Sequence, residues 1–294
     1  MKKLFYGISV VAMALGMVAC DDSVSSANNE DVDKESSSSV ISEDASSSSV
    51  KPGSSSSKKD DPMSSSSRGL FDMTKDEFLN PEITYGTMTD KRDNKTYKTV
   101  KIGDQVWMAE NLNYADSTKM PSLKGKSWCY DNKTENCDVT GRLYTWAAAI
   151  DSVALANDAV DPQTCGYGKT CTLPAVVQGV CPSGWHLPTN DEWQTLFKAV
   201  GGSSAAGKAL KSGSGWYSNG NGTDTYGFSA LPAGNRSSLG GFSSAGYYAY
   251  FWSASEGSSS LAYRMYLNYS IETAYVDYSS KSRGHSVRCL QDSN

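Results

Sequence analysis

One stretch, residues 181–193, reads CPSGWHLPTNDEW and runs from a cysteine through a rigid turn into the start of a helix. Thr189 is placed to be the N-cap, and Glu192 lies three residues later as the reciprocal partner of a capping box. One apolar helical face follows at the spacing i, i+3, i+4 and i+7, in Trp193, Leu196, Phe197 and Val200. The glycine pair that comes next can end a helix, so the pattern predicts a helix from about residue 190 to 200.

The same stretch carries a family resemblance. Residues 184–193 resemble the segment G-[FW]-x-L-P-T-x-x-E-W of C-type-lectin-like domains of the formylglycine-generating-enzyme type, and more closely the Fibrobacter succinogenes major paralogous domain, a family that includes lipoproteins. Further matching segments follow the family's order and cover roughly residues 85–292, at 106–112, 141–146, 226–234 and 251–256. The resemblance implies a surface or secreted bacterial module with a lectin-like fold, and it supplies no catalytic residues.

The N-terminus has the pattern of an export signal. Lys2 and Lys3 precede an apolar run over residues 4–18, which is too short for a good membrane span. Small residues before Cys20 fit a lipoprotein cleavage site, so we expect a signal peptide over residues 1–19 and an acylated Cys20 that anchors the chain in membrane lipid. Ordinary secretory cleavage, which leaves Cys20 as a spare thiol, is the alternative.

Serine dominates the residues that follow Cys20. Four Ser-Ser-Ser-Ser runs begin at residues 36, 46, 54 and 64, among acidic residues and lysines. Such a composition cannot bury a core, so it predicts a disordered linker over residues 20–82. The folded domain is then expected over residues 83–292.

The charge balance argues against nucleic acid as a partner. Of 27 Lys and Arg residues, two lie in the predicted signal peptide, which leaves 25 against 32 Asp and Glu and a net charge near −7. A chain of this charge repels phosphate backbones, and no basic cluster compensates for it.

Six cysteines remain beside Cys20, and an even number in an exported protein predicts disulfides. Six cysteines allow 15 connectivities. The spacing favours one of them, with the pairs Cys129–Cys137, Cys165–Cys171 and Cys181–Cys289. A zinc site is the alternative interpretation, but the sequence has no C-x-x-C pair and only two histidines, so no metal site is expected.

The remaining patterns predict an α+β fold of short antiparallel strands with two main helices. A second apolar stripe predicts a helix over residues 142–151, and at most one short helix is expected within 70–82 and one helical turn at 205–211. The predicted strands are 87–89, 96–102, 105–108, 228–231, 250–254, 262–267, 273–277 and 286–290.

A ligand site is indicated by aromatic residues in a Gly-, Ser- and Asn-rich region. Flat rings beside amide and carboxylate groups suit sugars, whose C–H faces stack and whose hydroxyls form hydrogen bonds. The candidate ligand-binding residues are Trp216, Tyr217, Asn219, Asp224, Tyr247 and Tyr248. Further tyrosines follow in the same region, at Tyr266, Tyr269, Tyr275 and Tyr278. The alternative for all of these tyrosines is that they fill a small, glycine-rich core with their hydroxyls at its rim.

Calcium is the one cofactor that this region suggests, but the same residues can also be explained without a metal ion. Residues 219–224 supply three oxygen-bearing side chains in a glycine-rich loop, which is compatible with a Ca²⁺ site. A series of Asx turns explains the same residues, and the sugar-calcium signatures of lectins are missing.

Catalytic motifs are missing as well. His186 and His285 are the two histidines, and neither lies in a hydrolase or metalloprotease motif. Formylglycine-generating enzymes use a reactive cysteine pair in their C-terminal part, where this sequence has only Cys289.

We therefore expect a non-catalytic, lipid-anchored binding module of the cell outer membrane, exposed on the surface or, alternatively, facing the periplasm. Its expected ligand is a polysaccharide or a surface protein. A structural or assembly protein of the envelope is one alternative, and an enzyme of the formylglycine-generating type is another.

Overall fold

The computed structural model describes residues 68–293. The predicted signal peptide, Cys20 and the serine runs lie outside the described residues. The helices are α1 (Thr134–Thr140), α2 (Trp146–Ala149), α3 (Ser152–Ala156), α4 (Asn190–Ala199) and α5 (Ser203–Leu210). The strands are β1 (Gly86–Asp90), β2 (Lys95–Ile102), β3 (Gln105–Met108), β4 (Ser127–Trp128), β5 (Leu143–Tyr144), β6 (Trp185–His186), β7 (Ala233–Arg236), β8 (Phe242–Ala245), β9 (Tyr248–Glu256), β10 (Leu261–Asn268), β11 (Tyr275–Ser280) and β12 (Leu290–Gln291). The mixture of helices and antiparallel sheets confirms the α+β class.

The N-terminal part of the described chain packs onto the domain. Two 3₁₀ helices, Leu70–Asp72 and Lys75–Phe78, stand where at most one short helix was predicted. Leu70 and Phe78 of these helices form a small core with Leu231 and with Met73, which lies between the two helices. Packed structure therefore begins before residue 83, the boundary that the composition predicted.

The larger sheet has the order β1-β2-β3-β12-β6, with every pair antiparallel. Strand β12 is short and lies between β3 and β6, so that Leu290 faces both Trp107 and His186. The disulfide Cys181–Cys289 lies beside this junction, with its Cα atoms 5.8 Å apart. All three predicted disulfides are confirmed.

Helix α4 packs its apolar face between the two sheets, the second of which has the order β11-β10-β9. The ring of Trp193 stacks on Trp107 of the larger sheet at 4.6 Å and lies 6.0 Å from Phe251 of β9. The predicted capping box is confirmed, because the backbone N–H of Thr189 donates to the Glu192 carboxylate at 2.8 Å. The helix was predictable because its cap and its apolar stripe both lie in one short stretch.

The predicted helix over residues 142–151 is wrong in extent. Residues 143–144 form β5 instead, where Tyr144 donates its backbone N–H to His285 at 2.8 Å. Helix α2 begins only after Thr145, whose side chain caps it, and it ends at Ala149. Asp151, with a positive φ of 52°, then caps a separate helix, α3. One apolar stripe is therefore divided between a strand and a helix.

Several strand predictions need correction. Residues 228–231 form no strand, because the carbonyls of Phe228 and Ser229 accept hydrogen bonds from Arg288 rather than from a neighbouring strand. The strand predicted at 286–290 is reduced to β12, and the one at 273–277 is shifted to β11. Strands β1, β2, β3, β9 and β10 contain the predicted ranges. The hairpin β7-β8 and helix α1 were not predicted from the sequence.

Side chains of β10 alternate between buried and half-buried in the second half of the strand. Met265 and Leu267 are buried, whereas Tyr266 is half-buried on the other face. Toward the start of the strand, the register with β9 is irregular, and there Ala262 is buried and Tyr263 is partly exposed. Among residues 68–293, no helix has the length and apolar character needed to cross a membrane.

Candidate functional site

A surface groove of about 590 Å³ runs between residues 68–71, residues 213–221 and the turn at 245–247. Two of the predicted site residues line it with exposed rings, because Tyr217 is 52% exposed and Tyr247 is 37% exposed. Asn219 lines it as well and is exposed. Four of the six candidate ligand-binding residues therefore line the groove, and three of them are exposed.

Tyr217, Tyr247 and Tyr269 form a group that we call the tyrosine cluster. The rings of Tyr217 and Tyr247 are stacked with centroids 4.5 Å apart, and the ring of Tyr269 lies edge-on to both at 5.6 and 5.3 Å. The sequence showed Tyr269 as one aromatic residue among several, and no local pattern placed it beside residues 217 and 247. The rings come together because the first residue of β9 pairs with the last residue of β10.

Backbone contacts hold the tyrosine cluster in place. Tyr217 donates its N–H to Gly246 at 2.8 Å, and Tyr269 donates its N–H to Tyr247 at 2.9 Å. Gly220 has no room for a side chain, since a Cβ atom there would lie 2.3 Å from the Tyr269 carbonyl oxygen. The rings are therefore presented by a tightly packed loop, which lowers the entropy cost of binding.

Trp216 also lines the groove, but its side chain is almost entirely buried. Only 5% of it is exposed, and its indole N–H lies 3.1 Å from the Ser212 hydroxyl and 3.2 Å from the Ala230 carbonyl. The glycines and serines beside it in sequence suggested an exposed ring. Its apolar neighbours come instead from distant parts of the chain, and it belongs to the core around α4.

Asp224 is buried and is also not a surface ligand group. Its carboxylate accepts hydrogen bonds from the backbone N–H and the hydroxyl of Ser229, at 2.6 and 2.7 Å. Burial raises the pKa of Asp224 to about 7. The three oxygen-bearing side chains considered for calcium do not point to one common site. Asn221 Oδ1 instead accepts a hydrogen bond from the backbone N–H of Trp216 at 3.1 Å. Within residues 68–293, no group of three or more His, Cys, Asp or Glu residues is arranged to hold a metal ion.

Tyr248 lies apart from the groove. It is the first residue of β9 and does not line the groove, whereas Tyr247 in the preceding turn does. Its hydroxyl accepts a hydrogen bond from Asn268 at 3.1 Å, and its ring stacks on Tyr250 at 5.3 Å. Tyr248 therefore belongs to a different surface.

A second opening, of about 220 Å³, lies beside Lys75 and Glu110, but its polar groups already have partners. Lys75 pairs with Glu110 at 2.8 Å. The Asn111 side chain donates to Thr140 at 2.8 Å and accepts from Arg288 at 2.9 Å. The groove beside the tyrosine cluster is the better candidate, because its aromatic rings and Asn219 are exposed.

His285 lies next to a serine but has the environment of a core residue. Its Nε2 is 2.8 Å from the Ser279 hydroxyl, and both residues are buried. Burial lowers the pKa of His285 well below its usual range. Within residues 68–293, its Nδ1 has no hydrogen-bond partner, so the carboxylate that orients the histidine of a Ser-His-Asp triad has no counterpart here. Cys289 is bonded to Cys181 and is not a free thiol.

His186 links the start of α4 to the strand that ends at residue 291. Its Nε2 lies 2.9 Å from Glu192, the capping-box residue, and its Nδ1 lies 2.7 Å from Asp292. Burial acts to lower the pKa of His186, but the hydrogen bonds to the two carboxylates outweigh it, and the pKa is raised. The charged form of His186 therefore stabilises the fold.

We expect this link to make stability depend on pH. A histidine whose folded-state pKa is raised stabilises the protein below its unfolded pKa of about 6.5, and that contribution is lost as pH rises through the folded-state pKa. The free energy of unfolding, measured with denaturant at steps from pH 6.5 upward, should therefore fall. The free energy of unfolding of the His186→Gln variant should fall by less over the same pH range. Equal losses in the two proteins would contradict this role.

Comparison with known proteins identifies the family. The family model described as the Fibrobacter succinogenes major domain matches residues 100–291, which is more than half of the 294 residues. The match includes α4, both main sheets in large part, all six disulfide cysteines and the tyrosine cluster. No curated protein and no solved structure matches the chain. With the fold and the family model in agreement, the chain belongs to the Fibrobacter succinogenes major domain family.

Proposed function

We propose that this chain is a lipid-anchored protein of the outer membrane whose folded domain binds polysaccharide without catalysing a reaction. The observation that carries the proposal is the tyrosine cluster, with two exposed rings along a groove of about 590 Å³. The export signal and Cys20 support the anchor, and the serine-rich composition supports a disordered linker between the lipid and the domain.

The groove has the chemistry that a sugar chain requires. Apolar C–H faces of sugar rings pack against aromatic rings, and Tyr217 and Tyr247 offer such rings at the surface. Asn219 adds an exposed amide, which can both donate to and accept from hydroxyl groups. The groove is open at the surface, as binding along a polymer requires.

We also propose that the domain has a C-type-lectin-like arrangement. The family resemblance at residues 184–193 supports it, as does the placement of β12 between β3 and β6, which joins distant parts of the chain in one sheet. In this arrangement, long loops outside the sheets carry the binding residues, and residues 213–221 form such a loop.

Polysaccharide binding is tested by pull-down on insoluble cellulose and xylan. Tyr217→Ala and Tyr247→Ala should each weaken retention about tenfold, because each removes an exposed stacking ring, and tenfold corresponds to about 1.4 kcal/mol. Tyr167→Ala is the matched control, since Tyr167 is an exposed tyrosine outside the groove. Equal retention of all four proteins would remove the groove as the site.

The orientation and the class of partner are tested separately. Protease treatment of whole cells should release the domain if it faces outward and should leave it intact if it faces the periplasm. A surface protein as ligand, or an assembly role in the envelope, would instead give cross-linked envelope proteins together with no retention on either polysaccharide.

A further inference from the structure

One face of the sheet β9-β10-β11 carries a row of tyrosines around one arginine, buried at Tyr250 and exposed at Tyr275. The rings of Tyr266 and Tyr275 are stacked at 5.1 Å, as are those of Tyr248 and Tyr250 at 5.3 Å. The Arg264 guanidinium lies between the two pairs, with its central carbon 4.4 Å from the Tyr250 centroid and 5.2 Å from that of Tyr266. We call these five residues the arginine face.

Arg264 has hydrogen-bonding capacity that the protein does not use. Its Nε and Nη1 atoms are buried and have no acceptor among residues 68–293. Buried charged N–H groups normally have partners, because leaving them unpaired is costly. The partner that best fits a guanidinium is a carboxylate, which accepts two parallel hydrogen bonds from it.

The nearest candidate within the protein does not act as this partner. Asp277 is directly opposite Arg264 in the pairing of β10 with β11. However, its Oδ1 accepts the backbone N–H of Tyr278 at 2.6 Å, and the Arg264 Nε and Nη1 remain without an acceptor. The pairing of β10 with β11 thus places Asp277 beside Arg264, but the Nε and Nη1 groups of Arg264 still have no hydrogen-bond acceptor among residues 68–293.

A second positive charge lies near the first. Arg283 is exposed and lies two residues before His285, whose ring is 5.1 Å from the ring of Tyr250. The charge of Arg283 acts with burial to lower the pKa of Arg264. Arg264 is itself partly exposed, so a rotamer change can bring its unpaired N–H groups to the surface. Two cations against the single Asp277 leave this face locally positive in a chain whose formal net charge is −5.

We propose that the arginine face binds an acidic polysaccharide, with a uronate carboxylate held by Arg264 and Arg283 and the sugar rings lying against the tyrosines. Charge complementarity selects this ligand over a neutral one, and the exposed Tyr275 at the end of the row offers an aromatic ring to the rest of the polymer. The site is separate from the groove, because none of the five residues of the arginine face lines the groove, and it does not depend on the proposed binding to neutral polysaccharide.

The test compares the full chain on polygalacturonate and on its methyl ester, in which a methyl group replaces the negative charge of each carboxylate. Affinity electrophoresis should show that the parent protein binds polygalacturonate more tightly than the ester and that added salt reduces the difference. Arg264→Gln should weaken binding to polygalacturonate about tenfold and leave binding to the ester unchanged. Asp277→Asn, which removes the competing negative charge, should tighten binding to polygalacturonate. Lys208→Gln, which removes an exposed cation elsewhere, should have no effect.

The outcomes separate this site from the groove. Tyr217→Ala should retain full binding to polygalacturonate, whichever way the cellulose and xylan experiment turns out. If Arg264→Gln does not fold, the exposed Arg283→Gln replaces it, with an expected weakening of at least threefold. Equal binding of both polymers by the parent, or unchanged binding of polygalacturonate by folded Arg264→Gln or Arg283→Gln, would overturn the proposal.

Discussion

Replacing Cys181 and Cys289 together with alanine should lower the free energy of unfolding by about 5 kcal/mol. The bond joins residues 108 positions apart, and the entropy that a crosslink removes from the unfolded chain grows with the loop that it closes. Both cysteines are fully buried beside the junction of β3, β12 and β6, so the native sheet also loses packing. Denaturant unfolding of the purified protein, with and without the bond, measures the difference.

The matched control is the double replacement of Cys129 and Cys137. This bond closes a loop with a sequence separation of 8, and the same relation gives about 2.5 kcal/mol for it. Replacing both partners in each case avoids a free thiol that could pair elsewhere. If the short-loop variant lost as much stability as the long-loop variant, loop closure would not be the source of the effect.

Lys281→Met should cost about 3–5 kcal/mol, because it leaves a largely buried carboxylate without its counter-charge. The Lys281 side chain is fully buried and pairs with Glu256, which is only 12% exposed. Its ammonium group also donates to the Lys169 carbonyl at 2.8 Å and lies 4.4 Å from the centre of the Trp146 ring. A lysine in this position thus holds the Cys165–Cys171 loop against the domain.

Lys208→Met is the control for Lys281→Met. Lys208 also pairs with a glutamate, Glu272, at 2.7 Å, but the two side chains are 51% and 64% exposed. Surface pairs of this kind contribute about 0–1 kcal/mol, so Lys208→Met should lower the free energy of unfolding by less than about 1 kcal/mol. Thermal or denaturant unfolding compares the two variants. Similar losses would mean that the burial of Lys281 has little consequence.

The features that could be predicted from the sequence are those whose causes lie close together along the chain. Helix α4 has its cap at Thr189, its reciprocal partner at Glu192 and its apolar stripe within one short stretch, and it forms as expected. The short disulfides follow from the same locality, and the pair Cys181–Cys289 follows once they are assigned. The family resemblance rested on local motifs as well.

The predictions from sequence were wrong where residues distant in the chain determine the burial or the secondary structure of a residue. Trp216 lies among glycines and serines in sequence, yet its indole N–H donates to Ala230 and its ring is enclosed by the core around α4. Asp224 is buried because Ser229 folds back over it. Residues 143–144 continue an apolar stripe but pair with β4, which no helical periodicity can reveal. The tyrosine cluster likewise depends on the meeting of two strand ends.

The position of β12 sets the order in which the larger sheet can be completed. During synthesis, β3 and β6 emerge well before residues 290–291, although those residues lie between them in the finished sheet. Until they arrive, two neighbouring strands have unpaired backbone groups, which is the condition under which nascent chains aggregate or attract chaperones. Ribosomes stalled before residue 289 should therefore hold an incomplete, protease-sensitive domain, whatever the stability of the finished one.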